Sequence, residues 1–256
     1  MKKEVSKSPI KVKPHRYAGQ SIDEYIRKLI DNEVYPYLIF IAYLCGLTVY
    51  EWVRYFAALP PSPFIMSAVT AFFLIYGTYK FIKVRAKIKK LRQARDGELA
   101  VGQYLEGFRS SGGKVFHDVQ GESFNIDHVL VSNKGVFALE TKTFSKPVRG
   151  EAKITLEDSV FSINGKAKND KIIIQALAQK KWLSQLLTKL VGVEVVARSV
   201  ILFPGWFVSG KYKDESIWAL NPKALATYVA NLDDVLSDQE VKQISNRFSM
   251  YLREAY

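Results

Sequence analysis

The chain has 256 residues, 48% hydrophobic and 24% charged, which excludes a disordered or collagen-like protein. One cysteine, Cys45, excludes an internal disulfide framework and a cysteine-rich zinc module. The net charge of +12 points to nucleic acid, an anionic membrane, or both.

The charge is unevenly spread. Residues 1–95 hold 17 Lys and Arg against 6 Asp and Glu, a net +11, whereas residues 96–256 hold 20 against 19, a net +1. Two apolar runs lie within the basic third, at 34–50 and 64–79, separated by Pro60, Pro61 and Pro63. Each is apolar around the whole helix rather than along one stripe, which disfavours a buried soluble hairpin. A helix of about 20 residues crosses the hydrocarbon layer. Each run fits once its polar flank reaches the interface, with Lys80 snorkelling and Glu51 pairing with Arg54 at a helix end. A re-entrant or interfacial hairpin is the alternative. Lysines and arginines flank both outer ends and the proline loop carries no charge, so the positive-inside rule places both termini in the cytoplasm of an inner-membrane protein. Residues 80–95 continue as a basic helix suited to anionic lipid headgroups, or to nucleic acid.

From Asp96 the pattern turns to α/β. Residues 97–108 read as a helix with apolar residues on a 3–4 spacing. Three β-like runs follow at 114–119, 124–131 and 135–141, joined by hairpin-sized links. A peripheral hairpin covers 154–156 and 160–163, turning at 157–159, and Asn164-Gly165 is a second turn signal. Residues 170–190 form an amphipathic helix, 193–203 a buried strand, and helices near 222–232 and 238–252 close the chain. This order predicts an α/β sandwich around a small mixed sheet.

The chemistry centres on two strands. Glu140 and Lys142 share a face at the end of an apolar strand, costly for both charges unless they are paired or in use. If the strands form a hairpin, Asp127 approaches the same place. Converging carboxylates suit Mg²⁺ or Mn²⁺, and a nearby lysine can serve a metal-bound water or a developing phosphate charge. An isolated acid-x-Lys triplet is more often a surface salt bridge. His128 faces away from Asp127, so packing or a hydrogen bond is expected of it. Gly112-Gly113-Lys114 lacks the spacing of a phosphate-binding loop. Lys146, Arg149, Lys166, Lys168 and Lys171 follow the site and are candidate phosphate contacts. Trp206 is expected to pack.

The combined string of Gly97-Glu98, Asn125-Ile126-Asp127-His128, Gly135 to Thr143 and Gln175-Ala176 resembles the nuclease-related domain (NERD) family of the PD-(D/E)xK nuclease superfamily, over roughly residues 96–203. The resemblance implies that Asp127 and Glu140 bind the metal, that Glu98 joins or orients it, that Lys142 is the catalytic lysine and that Gln175 is the helical glutamine near the site. Residues 171–174 replace the proline-containing approach usual in the family, which leaves the start of that helix open.

The expected organisation is a basic N-terminal segment (1–33), a transmembrane helical hairpin (34–83), a basic juxtamembrane helix (84–95) and a nuclease-like domain (96–256). The expected function is membrane-anchored, Mg²⁺-dependent hydrolysis of DNA, with RNA not excluded. A non-cleaving nucleic-acid-binding module and a membrane scaffold with a vestigial site are the alternatives.

Overall fold

The computed structural model describes residues 14–60, 62–121, 124–147, 152–157, 160–167, 170–211 and 217–255. The described chain falls into two compact units, one spanning Ser21–Gln93 and one built from residues 14–20 together with 94–255.

The first unit contains helix α1 (Gln20–Glu33), helix α2 (Tyr35–Phe56) and the first part of helix α3 (Pro63–Ser110). Pro36 lies in the first turn of α2, where its missing N–H costs nothing. Beyond α2, Glu51 ties the turn, accepting from Arg54 Nη1 at 3.1 Å and from the Ser62 N–H at 3.0 Å, while Arg54 Nη2 donates to the Pro60 carbonyl at 2.9 Å. Deeper in the hairpin the Thr48 and Thr70 hydroxyls meet at 2.6 Å, and Phe40 packs edge-on against Phe73 at 5.0 Å. Ile39, Val53, Phe56, Phe64, Ile65 and Ile75 face outward. Both apolar helices are long and apolar enough to cross a membrane. Lys80 and Lys83 sit over the rings of Tyr37 and Tyr79 at 5.9 and 4.4 Å.

Helix α3 corrects one expectation. The helix predicted to start at Gly97 is the last part of a single 48-residue helix that begins at Pro63. No proline interrupts residues 64–110, so nothing in the backbone stops the helix where composition changes from apolar to basic to amphipathic.

The second unit is a three-layer α/β sandwich. Its main sheet has the order β1 (Lys114–Gln120), β2 (Asn125–Ser132), β3 (Gly135–Thr141), β7 (Ala197–Leu202), β9 (Ile217–Leu220), antiparallel from β1 to β3 and parallel from β3 to β9. Alternation along the strands sends Val129, Val131, Val136 and Ala138 to one face, under α4 (Lys171–Val191) and α6 (Asp238–Ala255). Leu130, Phe137, Leu139 and Val200 go to the other face, under the end of α3 and α5 (Pro222–Ala230). A second sheet, β6 (Lys166–Ala167), β5 (Val160–Ile163), β4 (Lys153–Glu157) and β8 (Phe207–Lys211), packs Ile154, Leu156 and Phe161 against Phe203 and Trp206.

The antiparallel meander, the peripheral hairpin and the closing helices match the sequence pattern. Asn164 and Gly165 both adopt positive φ, at 51° and 75°, as a two-residue hairpin turn requires. The proposed turn at 157–159 ends outside the described residues. The strand expected from residue 193 begins only at Ala197: Gly192 closes α4 in the left-handed conformation, and Val193 and Val196 are exposed. Strand β9, and the strands β6 and β8 that extend the expected hairpin into a second sheet, were not anticipated.

Candidate active site

The site forms where β2 and β3 meet the first turns of α4. The β2–β3 register pairs His128 with Leu139, so Asp127 and Glu140 stand next to one another one step further along. Both belong to the alternation that faces α4. Gln175 and Gln179, one turn apart on that helix, point back at them. Glu140 is 3% exposed. One of its oxygens accepts from Lys142 Nζ and from Gln175 Nε2 at 2.9 Å, and the other accepts from Gln179 Nε2 at 2.6 Å. Lys142 Nζ also donates to Gln175 Oε1 at 3.3 Å. The Thr141 N–H donates to Asp127 at 2.6 Å. Glu140 and Lys142 are thus part of a network rather than a surface salt bridge.

Glu98 reaches the cluster from α3. Gly97 makes this possible: a Cβ there would lie 2.1 Å from Thr143 Cγ2, so only glycine lets the helix come this close to the chain leaving β3. Burial, then the charges of Asp118 and Glu140, push the Glu98 carboxyl up to about 8, against opposing effects of the Gly19 N–H and Lys142. Asp127 is raised well above the usual carboxylate range by desolvation, then by Glu140 and Glu98. Glu98 and Asp127, each raised by neighbouring carboxylates, favour their protonated forms in this pocket.

The donor set consists of carboxylate oxygens and so suits a hard divalent cation. Among the described residues, however, no three His, Cys, Asp or Glu side chains converge on one metal position. Both Glu140 oxygens are engaged by Lys142, Gln175 and Gln179.

Sequence reasoning missed three groups. Gln179 also donates to the Asn125 carbonyl at 2.7 Å, fixing α4 to β2. Its spacing of four residues from Gln175 was the available signal. Asp118 is 2% exposed and sits in left-handed backbone, with φ at 49°. Arg16, far upstream, pairs with it at 2.6 Å. No local pattern announces either of the last two.

The phosphate-contact candidates are dispersed. Lys146 is exposed, with its Nζ 3.3 Å from where a Cβ on Gly205 would stand, and Lys171 is exposed in the first turn of α4. Lys166 is exposed on β6. Arg149 and Lys168 lie outside the described residues. The question left open by residues 171–174 resolves simply: α4 starts at Lys171, one turn before Gln175. His128 is fully buried and its Nδ1 meets His117 Nδ1 at 2.8 Å, so it packs away from the acids as expected. Burial, and for His117 also Arg109, holds both imidazoles below their ordinary value. Trp206 is 2% exposed and donates to the Phe144 carbonyl at 3.2 Å.

Comparison with known proteins gives one finding. The nuclease-related domain (NERD) family model matches residues 93–204, a span that contains Glu98, Asp127, Glu140, Lys142 and Gln175. No curated protein and no solved structure matches the chain.

Proposed function

We propose that this protein is a membrane-anchored, metal-dependent nuclease of the PD-(D/E)xK type that hydrolyses phosphodiester bonds of DNA in the cytoplasm. The observation that carries the reading is the hydrogen-bonded set of Glu140, Lys142 and Gln175, with the charges of Asp127 and Glu98 beside it, within the span that matches a nuclease-related family. Asp127 and Glu140, with Glu98, are the residues that would hold Mg²⁺ or Mn²⁺. Such an ion supplies Lewis-acid polarisation of a phosphoryl oxygen and lowers the pKa of bound water. Lys142 supplies an ammonium to the attacking water or to charge developing on the phosphate. Gln175 holds that ammonium in place, through its Oε1. Lys146, Arg149 and Lys171 are the residues proposed to meet the flanking phosphates.

Membrane anchoring is supported by the two exposed apolar helices and by their flanking lysines. Residues 14–20, upstream of the first apolar helix, belong to the same compact unit as the domain that follows the second. This supports a topology with both flanks of the hairpin on one side of the membrane, and the positive-inside rule favours the cytoplasmic side.

The test is cleavage of end-labelled DNA and RNA oligonucleotides by the detergent-solubilised full chain, with Mg²⁺, Mn²⁺ or EDTA. Metal-dependent products from DNA that vanish in Lys142→Ala support the reading. Products that persist in Lys142→Ala overturn the assignment. A second reading, a binding module that does not cut, is favoured by the net +1 of residues 96–256 and by the full engagement of Glu140. Salt-dependent binding in EDTA without products in any metal would establish it.

A further inference from the structure

Strand β7 leaves the main sheet through the turn Phe203-Pro204-Gly205-Trp206. The Trp206 N–H donates back to the Phe203 carbonyl at 3.2 Å, and Gly205 takes a φ of 78°, as the third position of such a turn requires. The turn decides which side chain goes where. Trp206 is buried with its indole N–H on the Phe144 carbonyl, so the next residue, on β8, points the opposite way. That residue is Phe207, and it is 65% exposed. The ring offered to solvent is therefore that of Phe207, not that of Trp206.

The second sheet gives Phe207 a defined setting. Ile154, Leu156 and Phe161 turn inward. The register sets Phe207 beside Lys153, and Ser209 beside Thr155, which pairs on its other side with Ser162. These residues share the outer face. Lys153 is exposed and the three hydroxyl residues are half-buried. Charge is graded along β4, with Lys153 at the end next to Phe207 and Glu157 at the far end. Among the described residues, no acid pairs with Lys153 or with Lys146.

This face continues from the candidate site. The Lys142 N–H donates to the Leu202 carbonyl at 2.8 Å. From there residues 142–146 keep company with 203–206: Phe144 stacks on Phe203 with centroids 6.2 Å apart, and Lys146 Nζ lies 3.3 Å from where a Cβ on Gly205 would stand. Four residues span at most about 14 Å, which bounds the distance from Lys142 to Lys146 along the chain. The Phe207 N–H then donates to the Ala152 carbonyl at 3.0 Å, beside Lys153. Lysines and an unburied ring thus lead away from the site. Ammonium groups suit phosphates, and the flat face of a phenyl ring suits a nucleobase.

We infer that the outer face of the second sheet binds single-stranded DNA next to the site, with Phe207 stacking on a base and Lys146 and Lys153 meeting neighbouring phosphates. A duplex keeps its bases paired and stacked on one another and offers Phe207 no open base face, so this surface selects single strands. The inference rests on the nucleic-acid reading of the site given above and names the form of its substrate.

The test is fluorescence anisotropy of labelled single-stranded and duplex DNA with the detergent-solubilised full chain in EDTA, beside a cleavage assay in Mn²⁺. Wild type is expected to bind the single strand more tightly than the duplex. Phe207→Ala should weaken single-strand binding by about fivefold or more, Phe207→Tyr should keep it within about twofold, and duplex binding should not change. A fluorescent adenine analogue in the single strand should be quenched by wild type and not by Phe207→Ala. The ring is exposed, so the melting temperature of Phe207→Ala should match that of wild type. Single-strand binding indifferent to Phe207→Ala, or a wild type that prefers duplex, overturns the inference; products from wild type in the same assay leave the nuclease reading standing. Binding that depends on Phe207 without products upholds the inference and overturns cleavage. Neither binding nor products from wild type overturns both.

Discussion

Gly97 of α3 stands directly against Thr143, the residue after Lys142, with only 2.1 Å between the threonine Cγ2 and the place where a glycine side chain would begin. This contact lets one helix and one strand end share a set of acids.

Gly97→Ala must therefore turn the Thr143 side chain or push α3 and the strand end apart. Overpacking of this kind costs about 1–3 kcal/mol. The expected result is a folded chain with a lower melting temperature and nuclease activity reduced by more than its stability loss explains, because Glu98 moves with the helix. Thr143→Ser, which removes the crowding methyl, should restore much of the activity to Gly97→Ala. Assays of the single and double variants read this directly.

Gln179→Leu should destabilise the domain by about 1–3 kcal/mol, because it leaves a buried Glu140 oxygen and the Asn125 carbonyl without their donor. Gln175→Ala should cost less stability, since Gln175 is only half-buried, and more turnover, since it removes the group that steadies Lys142. Melting curves and initial rates on the two variants should rank them in opposite orders.

The Glu98 carboxyl, pushed up to about 8 from its ordinary value of 4.5, predicts a pH signature. Between these values the folded chain holds a proton that the unfolded chain has lost. The metal-free protein therefore loses stability as pH rises through that window. The histidines His15, His117 and His128 are shifted down and act with the opposite sign at lower pH, so the comparison belongs above about pH 7. There the melting temperature should fall with pH, Mn²⁺ should restore it most at the alkaline end, and Glu98→Gln should flatten the slope. At about pH 8.5 without metal, Glu98→Gln should be the more stable protein by at least about 1 kcal/mol. A metal-free slope that is unchanged by Glu98→Gln would contradict the assignment.

Cys45 is the single cysteine of the chain and lies in α2. In intact membranes it should react slowly with a membrane-impermeant maleimide and become reactive in denaturing detergent. In a Cys45→Ala background, Ser62→Cys and Ser111→Cys should label from opposite sides. Labelling of both from the same side would contradict two crossings.

The periodic parts of the fold were legible in sequence because burial on one face writes itself as alternation: β1 to β3, α4 and the Asn164-Gly165 turn all follow from local pattern. The site acids were legible for a related reason, since charge at the end of an apolar strand is conspicuous. Strands β8 and β9 were hidden because they are short, at 5 and 4 residues, and because β8 pairs in parallel with β4, about 50 residues upstream in sequence. Arg16 and Asp118 were hidden for the same physical reason. A buried ion pair across 102 positions leaves no trace in the neighbours of either residue.

The left-handed backbone at Asp118 has a wider consequence. An inserted residue would shift every pair beyond it, yet the ladder holds one register on both sides, with His117 on His128 and Val119 on Ile126. The interruption is therefore confined to a single rung. Across that rung the facing of the side chains changes, so that Phe116 and Val119, and likewise Val129 and Ile126, join one core cluster although each pair is three residues apart. Position 118 is consequently where the sheet turns its side chains over while keeping its pairing, which delivers Val119 and Ile126 to the core beneath α4 and α6.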